Sequence, residues 1–248
     1  MNAIGVIPAR LGSTRLARKV LLDICGKPMI QHVWESAKKA KALDDVIIAT
    51  DDETVSNVAR RFGAKTVLTS VDHKSGTDRV TEIVNPLDVK VVVNIQGDEP
   101  LIHPSMINEL AMALLQDNNL VMATLAKKIK DEKEVHDPNI VKVALDKEGF
   151  ALYFSRAPIP YNREPLGGFL TQCHYKHIGI YAYTKDFLFS FTNMPQSKLE
   201  QIEKLEQLRV LENGYKIKVI ETKYETKSVD TQADVDIVKS LLALRKDI

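Results

Sequence analysis

The sequence predicts an α/β fold: a mainly parallel central sheet with helices on both faces, and a smaller mixed α+β extension. Three observations lead there. Apolar strand-like runs alternate with amphipathic helical patterns through the first half, and a βαβα order implies a parallel sheet covered by helices. The second half carries strands with fewer helices between them. The chain has 248 residues, 44% hydrophobic and 27% charged, which is ordinary for a globular protein and enough for one large domain.

The run AIGVI is a short apolar first strand. After it, Pro28 opens a helix whose Met29, Ile30, Val33, Trp34 and Ala37 share one face. DVIIAT is a second strand ending at Asp51 and Asp52, ETVSNVARRFG a helix stopped by Gly63, and KTVLT a third strand. GTDRVTEIV reads as a helix, and VKVVVNIQ as an apolar strand running into GDEP. In open parallel sheets, ligands sit at the carboxyl ends of the strands. That rule gathers Pro8 to Lys19, Asp51, and Gln96 to Glu99 on one rim. Further along, VKVALD, FALYFS and YKHIGIYAYT are strands, NREPLGGFLTQ is a loop, and SKLEQIEKLEQLRVLENG is a single helix ended by Asn213-Gly214. Thr231 and Asp234 form the start signal of a last amphipathic helix. No repeat or linker divides the chain, so residues 1–248 are expected to form one domain.

A formal net charge of +1 argues against nucleic-acid binding, which needs a broad basic surface. No run approaches the ~18 apolar residues that cross a bilayer, and basic residues follow the short N-terminal apolar run rather than precede it. A cytoplasmic protein without membrane insertion is expected. Cys25 and Cys173 have no metal-type spacing and are expected to be bystander thiols.

Five groups of residues can carry chemistry. Arg10, Ser13, Thr14, Arg15 and Lys19 follow the first strand and can wrap a triphosphate, or form a solvated basic turn. Neither the Walker pattern nor G-x-G-x-x-G is present. Asp98, at a strand exit, can hold Mg²⁺ beside substrate phosphates, although Asp and Gly are common in such turns. Asp230, just before a helix start, is a second metal ligand or a charge favourable to the helix. Alternation places Tyr175, His177, Gly179, Tyr181 and Tyr183 on one strand face, suited to a sugar or simply the half-exposed face of a sheet. It sends His174 and His177 to opposite faces. Glu206 shares a helical face with Leu199, Ile202 and Val210 and needs a partner, from a ligand or from the fold.

In order along the chain stand IPAR, STRL, ICGKPMIQHV, ATDDE, HKSGTDR, VNIQGDEPLI, NIVKVALD, ALYFSRAPIP, HIGIYAY, LEQLRVLENG and VDTQAD. On these motifs the sequence resembles the 3-deoxy-manno-octulosonate (Kdo) cytidylyltransferases. The resemblance implies a nucleotidyltransferase (Rossmann-like) fold, with a sugar-binding and dimerisation insertion at about 150–195 and a homodimer. It implies transfer of CMP from CTP to an acidic eight-carbon sugar, Kdo, for lipopolysaccharide biosynthesis, with pyrophosphate released and Mg²⁺ as cofactor. An 8-amino-Kdo or other acidic acceptor, or a non-catalytic relative, stays open at this point. Carried over by motif, Arg10, Arg15 and Lys19 would bind the triphosphate, with Lys19, Asp98 and Asp230 catalytic. Pro8, Ser75, Gly76, Arg79 and Gln96 would line the nucleotide pocket. Arg156, His177, Tyr181, Glu206 and Gln207 would contact the sugar, and Asp98 with Asp230 would hold the metal. One stretch departs from the family's R-L-P-G-K-P-L: here it reads Arg15-Leu16-Ala17-Arg18-Lys19-Val20-Leu21. If the family glycine uses positive φ, Arg18 carries a backbone cost of roughly 1 kcal/mol or more, or the loop bends differently.

Overall fold

A computed structural model describes residues 1–12, 16–163 and 173–245. The chain runs β1 (Ala3–Ala9), a 3₁₀ turn (Lys19–Leu21), β2 (Asp23–Ile24), β3 (Lys27–Pro28), α1 (Met29–Ala37), β4 (Asp45–Thr50), α2 (Glu53–Arg61) and β5 (Lys65–Leu68). It continues with α3 (Gly76–Val84), β6 (Val91–Asn94), α4 (Pro104–Gln116), β7 (Met122–Lys128), α5 (Glu132–His136), β8 (Lys142–Leu145) and β9 (Ala151–Ser155). β10 (Tyr175–Thr184), α6 (Lys185–Asn193), α7 (Lys198–Glu203), α8 (Leu208–Glu212), β11 (Lys218–Glu221) and α9 (Gln232–Arg245) complete it.

One sheet has the order β11-β7-β10-β6-β1-β4-β5, with β8 pairing β10 and β9 pairing β8. The pairs of β1 with β4 and β6, of β4 with β5 and of β7 with β11 are parallel. β10 runs antiparallel to β6, β7 and β8. The expected mixed extension therefore continues the same sheet.

Successive β1 residues feed opposite cores: Ala3 and Ile7 pack with α1, α2 and α4, while Ile4 and Val6 pack with α3, α6 and α8. Burial on both faces is why the central strands read as unbroken apolar runs. A third, smaller core joins Ile24 of the β2–β3 hairpin to Val235 and Val238 of α9. It brings the chain's last helix beside the loop that follows β1.

Two expectations change. The helix expected from Ser197 to Gly214 is two helices, because Lys204 caps α7 in the left-handed conformation at φ 55°. Glu206 and Gln207 lie in the break, and Ile202, expected on Glu206's buried face, is 77% exposed. The alternation of β10 does survive a bulge. Ile178 and Tyr181 pair with the adjacent residues Leu125 and Thr124, so two extra residues are inserted. An even insertion preserves which side chains share a face. The loop expected at NREPLGGFLTQ lies largely outside the described residues.

Candidate active site

The carboxyl ends of β1 and β6 and the start of α3 open onto a cavity of about 310 Å³. Pro8, Arg10, Lys19, Ser75, Gly76, Arg79, Gln96 and Asp98, all expected at the nucleotide or metal site, line it. Arg15 lies outside the described residues. Gly97 also lines the cavity, and there its lack of a side chain matters: a Cβ would stand 3.0 Å from the Pro8 carbonyl oxygen.

Ser75 starts α3 with a capping box. Its hydroxyl accepts from Asp78 N at 3.1 Å, and the Asp78 carboxylate accepts from Ser75 N at 3.0 Å. The N-terminal turn of α3 thus forms one wall, where backbone N–H groups and the helix dipole favour anions. Arg79, 3% exposed, is tied to Asp51 Oδ2 at 2.8 Å, to the Thr69 hydroxyl and to the Ser70 carbonyl. It is a fixed wall of the pocket rather than a mobile cation.

Lys19 bridges the two expected metal ligands. Its Nζ donates to Asp98 Oδ2 at 2.6 Å and to Asp230 Oδ1 at 2.9 Å. Burial opposes its charge, but Asp98 and Asp230 outweigh burial and hold its pKa above the usual lysine range. The Val229 N–H donates to the Asp98 carbonyl at 3.0 Å, which fixes the segment carrying Asp230 against the exit of β6. Glu99 accepts from the Thr226 hydroxyl, and burial, helped by Asp98 and Asp230, pushes it up to about 7. Two hard carboxylate oxygens that both reach one ammonium suit a small divalent cation completed by substrate phosphates and water. The donor set therefore fits Mg²⁺. Among the described residues no group of three His, Cys, Asp or Glu side chains forms a fuller metal cage.

Arg18 takes φ 53° and ψ 34°, so the left-handed conformation stands where the family pattern has glycine. Its carbonyl accepts from Leu21 N at 2.9 Å and opens the short turn that carries Lys19. The conformation costs an arginine roughly 1–2 kcal/mol. Arg18→Gly is expected to raise stability by about 1 kcal/mol, read by thermal unfolding. An unchanged Michaelis constant for CTP in that variant would separate Arg18 from triphosphate binding.

Of the expected sugar residues, His177, Tyr181 and Glu206 come together, next to Thr77 of α3. The His177 and Tyr181 rings lie 5.5 Å apart. Thr77, one residue past Gly76, donates its hydroxyl to Glu206 Oε2 at 2.8 Å. Burial raises the Glu206 pKa against the opposing Thr77 bond and the Arg209 charge. Gln207 is 3% exposed, and its Nε2 has no partner among the described residues. Arg156 is held by backbone carbonyls of Glu203 and Pro138.

His177 Nε2 lies 2.9 Å from the Thr124 hydroxyl, which is also within donating reach of the Ile178 and Ile180 carbonyls. A hydroxyl has one proton; with that proton on a carbonyl, Nε2 carries the imidazole hydrogen. Burial lowers the His177 pKa from 6.5 to about 3. The native state then binds fewer protons than the unfolded state between those values, so this contribution is complete above pH 6.5 and is lost as pH falls toward 3. His177→Gln is expected to flatten the acid limb of a stability-versus-pH curve; an unchanged limb would remove His177 as its source.

Sequence reasoning missed Thr77, Thr124 and the Glu200–Arg209 pair, and placed Glu99 on the rim without its Thr226 partner. Thr77 sat inside the quoted HKSGTDR motif, yet nothing local pairs it with Glu206 across the fold. His174 bonds the Pro160 carbonyl while His177 bonds Thr124, so the two imidazoles of H-x-x-H face different partners. Cys25 and Cys173 are free thiols. No helix among the described residues is long and apolar enough to cross a membrane.

A Rossmann-like sheet whose strand ends gather cationic side chains, a helix N-terminus and two bridged carboxylates defines a nucleotidyltransferase. The cytidylyltransferase family matches residues 4–218. The chain is 49% identical to a 3-deoxy-manno-octulosonate cytidylyltransferase of Solibacter usitatus, over 86% of this chain and 84% of that protein. It is 46% identical to one of Geobacter metallireducens over 98% of both chains. A solved structure of CMP:2-keto-3-deoxy-manno-octonic acid synthetase complexed with CTP superposes with a TM-score of 0.93 at 42% identity, covering 99% of this chain and all of that one. A cytidylyltransferase from Leptospira borgpetersenii, at 16% identity and a TM-score of 0.66, shares the fold. The chain belongs to the cytidylyltransferase family and, within it, to the 3-deoxy-manno-octulosonate cytidylyltransferases.

Proposed function

We propose that the protein transfers CMP from CTP to the anomeric hydroxyl of Kdo, releasing pyrophosphate, as a step of lipopolysaccharide biosynthesis. The observation that carries this reading is the Asp98–Lys19–Asp230 bridge at the mouth of a cavity walled by Arg10 and the start of α3. Two anionic substrates repel each other, so cations must join them and offset charge that develops on the phosphates. Mg²⁺ held by Asp98 and Asp230 would supply Lewis-acid charge neutralisation and alignment there. Arg10, Arg15 and Lys19 take the triphosphate, with the Ser75–Gly76 turn and Pro8 around the nucleoside and Arg79 as a fixed wall. Gln96 sits between nucleotide and sugar. Arg156, His177, Tyr181, Glu206 and Gln207 hold the sugar acid, His177 as a neutral imidazole whose one hydrogen is already given to Thr124, so that toward the sugar it accepts.

The anomeric oxygen attacks the α-phosphorus in line, and the bond to the bridging oxygen of pyrophosphate breaks. Orientation does much of the work, and no covalent enzyme nucleophile is required. The same reading takes the protein as one cytoplasmic domain that works as a homodimer, with residues 150–195 contributing to dimerisation; a monomer in sedimentation velocity would remove that part. Mass spectrometry of the product from CTP, Mg²⁺ and a set of acidic sugars tests the reaction. A phosphodiester of CMP with Kdo is expected, and a product formed only with another acid would reassign the acceptor.

A further inference from the structure

Lys142, near the start of β8, is 0% exposed. Lysine is almost never buried without compensation, because taking an ammonium out of water is costly. Here the compensation comes from backbone oxygens. Nζ donates to the Asp137 carbonyl at 2.8 Å and to the Ile140 carbonyl at 2.6 Å. Both lie in the turn between α5 and β8, so a single ammonium closes that turn from inside.

The same turn holds Arg156. The Pro138 carbonyl accepts from Arg156 Nη1 at 2.9 Å, and the Glu203 carbonyl accepts from Arg156 Nε at 2.8 Å. Two neutral oxygens therefore clamp the guanidinium. The Glu203 carboxylate is occupied elsewhere, by the Ser155 hydroxyl at 2.6 Å and the Arg156 backbone N–H at 2.9 Å. Among the described residues, Nη2 makes no hydrogen bond and Arg156 has no ion pair. A guanidinium held rigid, with no direct ion pair among the described residues and donors in hand, is prepared for a carboxylate.

Resting on the assignment of Arg156 to the sugar acid, we propose that Lys142 is a positioning residue for sugar recognition. By bonding the Asp137 and Ile140 carbonyls, it fixes the turn whose Pro138 carbonyl aims the Arg156 guanidinium at the substrate carboxylate. Burial lowers the Lys142 pKa, Asp137 and Glu203 raise it, and Arg156 lowers it further, so these groups share one local field.

Lys142→Met keeps the stem and removes the ammonium. A small misplacement of an orienting group can cost up to ~10²-fold; the Michaelis constant for Kdo is expected to rise about tenfold or more, with that for CTP within about twofold. In an Arg156→Ala background the same change is expected to add less than about twofold, because residues acting as a unit are not additive. Pro138→Gly, at an exposed position, loosens the turn without touching the buried lysine. It is expected to give the same split even if Lys142→Met does not fold. Michaelis constants for both substrates rising together in either variant, or a Lys142→Met effect that adds in full to an effective Arg156→Ala, would overturn the role of Lys142. An Arg156→Ala enzyme with an unchanged constant for Kdo would instead overturn the Arg156 assignment, and the role of Lys142 with it.

Discussion

Asp98→Asn is expected to lower kcat by about 10³-fold while the folded protein melts no lower than its parent. The size follows from the charge stabilisation a bound divalent ion supplies, which is several kcal/mol, with each 1.36 kcal/mol a factor of ten in rate. The unchanged stability follows from the bridge itself. Asp98 and Asp230 share one ammonium, so two carboxylates compete for a single positive charge. Removing one charge relieves their repulsion and leaves Lys19 with the other. Initial rates at saturating substrates and a thermal melt check both halves. A variant that keeps near-parental kcat would show that Asp98 holds no catalytic metal.

Breaking the Glu200–Arg209 pair is expected to have the largest effect on stability. Arg209 Nη2 lies 2.6 Å from Glu200 Oε1, and Nε donates to Oε2 at 2.8 Å, with the two side chains 10% and 8% exposed. The pair spans the break between α7 and α8. Arg209 also stands 3.9 Å from Glu206 Oε1, so it sets the turn that places Glu206 and Gln207. Removing Glu200 leaves a buried guanidinium with only the longer Glu206 contact and the Met194 carbonyl, and breaking a buried pair costs about 3–5 kcal/mol. Glu200→Ala is therefore expected to lose that much in denaturant unfolding, and its Michaelis constant for Kdo should rise in whatever fraction remains folded. A loss under about 1 kcal/mol would mean that the pair is solvated in solution, as exposed pairs are.

The parts of the molecule most legible in its sequence were those fixed by local pattern. DVIIAT and GTDRVTEIV fold over the residues their periodicity predicts, and Thr231 with Asp234 forms the reciprocal cap. The rim was legible for a similar reason, since strand ends locate ligand sites in open sheets. What the sequence hid depends on chain reversal and burial. The helix from Ser197 carries no breaker at Lys204, and a left-handed lysine there reflects tertiary packing of α8 rather than propensity. β7 and β11 went unread because short apolar runs do not separate strand from helix by period. Lys142 was quoted only as part of a strand motif; its burial depends on a turn that folds back over it. Motif order named the candidate site residues, while the Thr77–Glu206 bond and the tie from Arg79 to Asp51 needed coordinates.

The central claim is that one rim site joins CTP to an acidic sugar through cationic side chains and a divalent ion. Pyrophosphate release, measured with CTP, Kdo and Mg²⁺ together and with each omitted in turn, tests it most directly. The expected result is release only when all three are present, abolished by chelation and restored by added Mg²⁺. Release that persists without the sugar, or no release with any acidic sugar, would contradict the account.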